Sequence, residues 1–252
     1  MRNRLRTILT LLLWIAATAP TARAQLPVWS EYHNYTGAQH QAKFNELSSQ
    51  GYRMISLSIS GDISDPRYAA VWVQRPGPAW VSYQAMTGPQ FQAAFNSNAS
   101  QGFKPVIISA TGPADNPLFA AVWEMASDGV IPLTRFGLTR AGSASYTKDP
   151  KTGANVITDP GTLDCWLYYA RNQVLPSPGV PTTCFNTSGP ELIPSTIAVW
   201  GTAQDPRFAI VLEPNPSRVG WNADSGTHGN PIDDAGTYQT RFDAEMITGL
   251  KP

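Results

Sequence analysis

Two short runs have the residue types of a serine hydrolase. Ser145-Tyr-Thr-Lys148 has the S-x-x-K spacing, and Lys151-Thr-Gly153 reads K-T-G. Enzymes of β-lactamase type use both: the serine opens a buried helix, the lysine lies one turn later, and the K-T-G lies on a strand far along the chain. Here Asp149-Pro150 follows the lysine at once, which disfavours a helix, and the two runs almost touch. A catalytic role is therefore not assigned to them. Asp224-Ser-Gly226 with His228 sits in a Gly/Asn/Pro-rich stretch that reads as loop, and no G-x-S-x-G elbow occurs. The chain has three histidines, His33, His40 and His228. His40 falls inside a helical pattern, where packing is the expected role. Asp62, Asp65 and Asp205 are turn carboxylates. Side chains of this kind close turns on their own backbone, and that role is expected of them ahead of calcium. No metal site and no cofactor is expected: two cysteines cannot build a four-sulfur zinc site, and no Gly-rich phosphate loop is present.

Cys165 and Cys184 are the only cysteines. In an exported chain such a pair predicts one disulfide, stapling a Pro-rich loop. Export is what the amino terminus predicts. Arg2, Arg4 and Arg6 precede an apolar run over Ile8–Ala17, and Ala22-Arg23-Ala24 offers a small-x-small cleavage site. Met1–Ala24 thus reads as a signal peptide, and the destination as secreted or periplasmic. The leader's four arginines leave with it, so the mature chain would carry a formal charge of −4. A mildly acidic chain is no fit for nucleic acid or an anionic membrane, and no later run is apolar enough to span a bilayer.

The elements that position these residues are repeated. Thr36–Trp72 and Thr87–Trp123 align without a gap at an offset of 51, with 17 of 37 positions identical. Internal repetition on this scale governs architecture. Thr87 and Gln90 have capping-box spacing, as do Thr36 and Gln39. Phe91, Ala94, Phe95 and Ala99 recur at helical spacing, and Gly51 and Gly102 stand where a left-handed C-cap is needed. Next, Ile55, Leu57 and Ile59 alternate with Ser56, Ser58 and Ser60, predicting a strand with one wet face. Val106, Ile108 and Ala110 keep that register. A polar turn opened by Gly61 or Gly112 leads into a second strand, Tyr68–Val73 or Phe119–Glu124. The expected unit is helix, strand, turn, strand. Pro194-STIAVW-Gly201 matches Pro105-VIISAT-Gly112 at an offset of 89, and Asp205-Pro-Arg-Phe208 matches Asp65-Pro-Arg-Tyr68. Residues 25–252 then divide into units at 28–79, 80–130 and 131–221, the third holding a long insertion over 137–192. A partial unit occupies 222–252. A unit of about 50 residues is marginal alone, so copies must share a core.

The run TGAQHQAKFNELSSQGYRMISLS…DPRYAAVWV resembles the bacterial tandem repeat domain. It is also similar to the repeat-built amino-terminal domain of fungal polyglycine hydrolases, whose chemistry lies in a separate β-lactamase-like domain. The resemblance covers Trp29–Val73 and Trp80–Glu124, extends more weakly to Pro194–Trp221 and Asp234–Pro252, and does not reach Gly137–Leu192. It implies an α+β fold in which αββ repeats form a curved, mainly antiparallel sheet or partial barrel with helices packed on one side. It carries over no catalytic residue.

Seven tryptophans follow the leader. Periodic aromatics fill repeated cores, which is the expected role of most. Trp72, Trp123 and Trp200 are the candidate ligand contacts. Trp200 leads them, because it replaces Ser60 and Thr111 on the polar phase of its strand. The functional expectation is a non-catalytic recognition domain for an extracellular carbohydrate or peptide. The alternatives are a hydrolase or hydrolase accessory, and a passive structural or assembly domain.

Overall fold

The computed structural model describes residues 28–140, 142–171, 177–181, 183–186 and 189–216. The leader, Asp224–Gly226, Trp221, His228 and the partial unit over 222–252 lie outside the described residues.

Each unit is a strand, a helix and a hairpin. The first comprises β1 (Trp29–Tyr35), α1 (Gly37–Ser49), β2 (Tyr52–Ser60) and β3 (Arg67–Gln74). The second comprises β4 (Trp80–Thr87), α2 (Gly88–Ser100), β5 (Phe103–Thr111) and β6 (Leu118–Met125). The third opens with β7 (Leu133–Leu138). A short hairpin, β8 (Tyr146–Lys148) with β9 (Asn155–Ile157), intervenes before α3 (Leu163–Ala170), and β10 (Leu192–Gly201) and β11 (Pro206–Pro214) close the unit. The helix starts follow from the caps. The Gln39 amide donates to Thr36 Oγ1 at 3.3 Å, and Thr36 N–H donates to Gln39 Oε1 at 2.9 Å. Thr87 N–H donates to Gln90 Oε1 at 2.8 Å. Gly51 and Gly102 end both helices at positive φ, where a Cβ would be strained.

A strand precedes each helix, which the αββ reading omitted. Its alternation is broken by a bulge between Tyr32 and Tyr35, and again between Tyr83 and Met86. Asn34 and Ala85, at matching positions in the repeat, take positive φ there. A second bulge shifts register between Met54 and Ser56, between Pro105 and Ile107, and between Pro194 and Thr196. It turns Met54 inward and leaves Ile55 exposed, so Ile55 does not share the phase of Leu57 and Ile59.

The expected α+β, antiparallel character holds, but in place of one curved sheet or partial barrel the described strands form separate three-stranded antiparallel sheets in the orders β1-β3-β2, β4-β6-β5 and β7-β11-β10. The reason lies in the middle strands. Tyr68, Ala70 and Trp72 alternate with Ala69, Val71 and Val73, and Phe119, Ala121 and Trp123 alternate with Ala120 and Val122. A strand apolar on both faces is stable with cover on both faces. The sheets accordingly stack. Ala120 and Val122, on the back of the second sheet, pack into the first unit's core with Leu57, Ile59 and Trp72. Ala198, Trp200, Ala209 and Val211, on the back of the third, pack into the second unit's core with Phe91, Ile108 and Trp123. The approach is closest along β2, β5 and β10. α1 and α2 each lie on the front face of their own sheet, beside the sheet that follows. The front of the third sheet carries Phe208, Ile210 and Leu212 against Leu163 and Leu167 of α3.

Ion pairs clasp the junctions. Arg53 Nη2 meets Glu124 Oε1 at 2.8 Å, and Lys104 Nζ meets Glu213 Oε1 at 3.5 Å. Arg53 and Lys104 are equivalent positions, and so are Glu124 and Glu213. In the third unit Cys165 and Cys184 form the disulfide, over a sequence separation of 19. It joins α3 to the following loop beside Ile157. By loop entropy such a closure contributes about 3 kcal/mol, in a region with few apolar side chains of its own.

Candidate functional site

The histidine at the centre of the first unit is structural. His40 is buried, stacks on Tyr68 with ring centroids 4.7 Å apart, and accepts or donates at Nδ1 with the Tyr32 hydroxyl at 2.6 Å. Burial pushes the imidazole down to about 4 and the Tyr32 phenol up to about 12. Phe91 holds the same place in the second unit, stacked on Phe119 at 4.6 Å.

That exchange opens a cleft. In the first unit the bond to His40 draws Tyr32 inward, and the Tyr35 ring covers it at 4.5 Å. In the second unit the equivalents are Phe91, which offers no nitrogen, and Met86, which offers no ring. The counterpart of Tyr32 is Tyr83, and it is 44% exposed. Its ring stands edge-on to the buried Trp123 at 5.5 Å. Beside it lies an open cleft of about 400 Å³, lined by Gln41, Ser82, Tyr83, Gln84, Ala85, Met86 and Gln90. Gln84 spans the junction, donating through Nε2 to Gln41 Oε1 at 3.1 Å, while its Oε1 is buried with no hydrogen-bond partner. The lining has no charged side chain. Its chemistry is one aromatic face and several amides, each able to donate and to accept.

The residues singled out by sequence fall elsewhere. Trp72 and Trp123 are fully buried, and Trp200 is only 6% exposed. The expectation that Trp200 is an exposed contact is corrected. It occupies a junction face, edge-on to Phe119 at 5.1 Å, with Nε1 donating to the Ala114 carbonyl at 3.3 Å. Trp72 packs against Phe44 and Trp80. Trp123 does not line the cleft but lies against the Tyr83 ring that does. The large ring that faces solvent at the start of the first sheet is Trp29. Tyr83 itself is missed by sequence reasoning. The signal was present in the paired changes of His40 to Phe91 and Tyr35 to Met86 around a retained tyrosine.

Ser145 closes the short 3-10 turn Ser143–Ser145. Its Oγ receives Gly142 N–H at 3.2 Å and lies 3.4 Å from Asp159 Oδ2. Lys148 ends β8, exposed, and Lys151-Thr-Gly153 forms the turn to β9. Neither run has the helix or strand that its chemistry needs. Asp62 accepts from Ser64 N–H at 2.8 Å and Ser64 Oγ at 2.7 Å, which holds its carboxyl below the usual range. Asp65 and Asp205 pair with Arg67 and Arg207. These are turn-closing roles. Among the described residues no three His, Cys, Asp or Glu side chains gather as a metal site, and no helix is long and apolar enough to cross a membrane.

Residues 27–75 and 77–126 each match the family model described as polyglycine hydrolase-like, structural repeat. The chain therefore carries two such repeats in tandem, and their boundaries follow the first and second sheets.

Proposed function

We propose that this tandem of polyglycine hydrolase-like structural repeats is a secreted or periplasmic recognition domain, without catalysis of its own, for a neutral extracellular carbohydrate or peptide. The cleft at Tyr83 carries the reading. A ligand with a flat apolar face and neutral polar edges fits a tyrosine ring flanked by Gln41, Gln84 and Gln90, and small-ligand sites combine such features. Trp123 then acts as a positioning residue that props the Tyr83 ring from below. The disulfide between Cys165 and Cys184 supports an oxidising compartment. The junction location supports a role that needs no reactive group: the cleft forms between two repeats, where residues can differ without disturbing either core.

Glycan and peptide arrays on the intact protein, repeated with Tyr83→Ala, test this. Binding that falls roughly tenfold in the variant, about 1.4 kcal/mol, is expected. Binding that survives Tyr83→Ala unchanged, or the absence of binding to any neutral polymer, overturns it.

A further inference from the structure

The described units end on two faces that match each other. On the back of the second and third sheets, three β5 or β10 positions and two β6 or β11 positions meet the preceding unit. Those positions are Ile107, Ser109, Thr111, Ala120 and Val122 in the second sheet, and Thr196, Ala198, Trp200, Ala209 and Val211 in the third. Their polar members reach across. Ser109 Oγ receives Ile59 N–H at 3.0 Å, Thr111 Oγ1 donates to the Gly61 carbonyl at 2.9 Å, and Thr196 Oγ1 donates to the Val106 carbonyl at 3.1 Å. Gly201 N–H donates to the Gly112 carbonyl at 3.0 Å.

The first sheet presents the same back face, and no described residue covers it. Ser56, Ser58 and Ser60 pair in register with Val71, Ala69 and Arg67, as their equivalents do. All three serines are exposed, and Ala69 and Val71 are half-exposed where Ala120, Val122, Ala209 and Val211 are fully buried. Among the described residues, the front of the third sheet is uncovered in the complementary place. Ile197 is 43% and Val199 57% exposed, against 5% for Ile108, which holds the position of Ile197. The ion-pair positions agree. At the two internal junctions Arg53 or Lys104 of one unit meets Glu124 or Glu213 of the next. In the outer described units both charges are gone together: the third unit has Ile193 where the others have Arg53 and Lys104, and the first has Val73 where the others have Glu124 and Glu213. Ile193 against a glutamate, or Val73 against a cation, would leave a partly desolvated charge unpaired. The two ends fit each other.

We infer that the back of the first sheet is a docking surface for the front of the third sheet of a second copy of this chain, repeating between molecules the junction made twice within one. In that contact Ser58 Oγ takes Val199 N–H, as Ser109 takes Ile59 N–H. Ser60 donates to the Gly201 carbonyl, as Thr111 does to Gly61, and Val73 lies against Ile193. The contact is head-to-tail, so it leaves one free front and one free back on every dimer and propagates into a ring or a filament. It is independent of the cleft at Tyr83, which neither face includes.

Sedimentation velocity on the intact, disulfide-bonded protein tests it. Wild type is expected to gain mass with concentration through the micromolar range. Ser58→Arg blocks the back and Val199→Arg the front, so each variant alone is expected to stay monomeric. Mixed in equal amounts, the two retain one good back and one good front, and form a dimer that grows no further. Circular dichroism matching wild type shows that these surface variants are folded. A wild type that stays monomeric, as when residues 217–252 of the same chain cover the third sheet, overturns the inference. So does association that persists in either single variant, or a mixture that fails to dimerise while wild type associates.

Discussion

His40→Phe replaces the first unit's central ring by the one the second unit uses, and the gap in stability between the two proteins should change sign in acid. Folded, His40 is held neutral with a pKa of about 4 by burial. Unfolded, it returns to about 6.5. Below that value the unfolded chain binds the proton and the folded chain does not, so stability falls as pH drops from about 6.5 to about 4. Linkage gives a loss of about 2 kcal/mol between about pH 7.5 and about pH 5, rising to about 3 kcal/mol below pH 4. Tyr32 and Tyr68 face the imidazole, and burial raises both phenols, so neither titrates in this window. Near neutrality His40→Phe keeps the stack on Tyr68 and leaves the Tyr32 hydroxyl without its partner, at a cost of about 1 kcal/mol. Urea unfolding of wild type and variant at both pH values isolates the term, because every carboxylate contributes equally to the two proteins. The variant is expected to be slightly less stable near pH 7.5 and more stable near pH 5. A gap between the two proteins that does not change with pH would refute the argument, and so would an imidazole that titrates at its ordinary value by NMR.

The junction ion pairs should be unequal. Arg53 is nearly buried and bonds Glu124 at 2.8 Å, so Arg53→Ala is expected to cost about 3 kcal/mol by stranding the glutamate. Lys104 and Glu213 are partly exposed at 3.5 Å, and Lys104→Ala should cost below about 1 kcal/mol in the same chemical denaturation series. Gly112→Ala should destabilise more than Lys104→Ala. Its φ is +97°, an added Cβ would lie 2.4 Å from Ile63 Cγ2, and its carbonyl is the acceptor for Gly201. A loss of about 2 kcal/mol or more is expected, and a neutral result would mean that this turn is not fixed by the junction.

Much of the unit was legible because its signals are local. A capping box, a positive-φ glycine and a hairpin turn are each set by residues within a few positions of one another. The first strand of each unit was not legible, because a bulge at Asn34 or Ala85 destroys the alternation that marks a strand. The same cause misplaced Ile55. The separation into stacked sheets was written in the two-faced apolar strands Tyr68–Val73 and Phe119–Glu124. Trp200 was misread for a physical reason. Its phase carries Ser60 in the first unit, where that face is bare, and bare serines read as solvent. In the third unit the same phase is pressed onto a neighbour. The identity of a face depends on its place in the stack, which no window of sequence contains.

The two matched repeats show how such a stack can diversify. Trp72 and Trp123 are identical and fully buried, and they fix the same backbone in both units. Around that fixed centre, exchanging one buried imidazole for a phenyl ring removes the nitrogen that holds a tyrosine inside. Exchanging Tyr35 for Met86 removes the ring that covers it. Neither exchange alters a strand register or a cap. The result is a closed core in the first unit and, at the seam with the second, an open cleft with an exposed ring. Stability is carried by residues the repeats share, and the surface offered to a ligand by residues in which they differ. Extending the stack by another unit, or by another molecule, then adds a new seam with its own lining and leaves the cores already formed as they are.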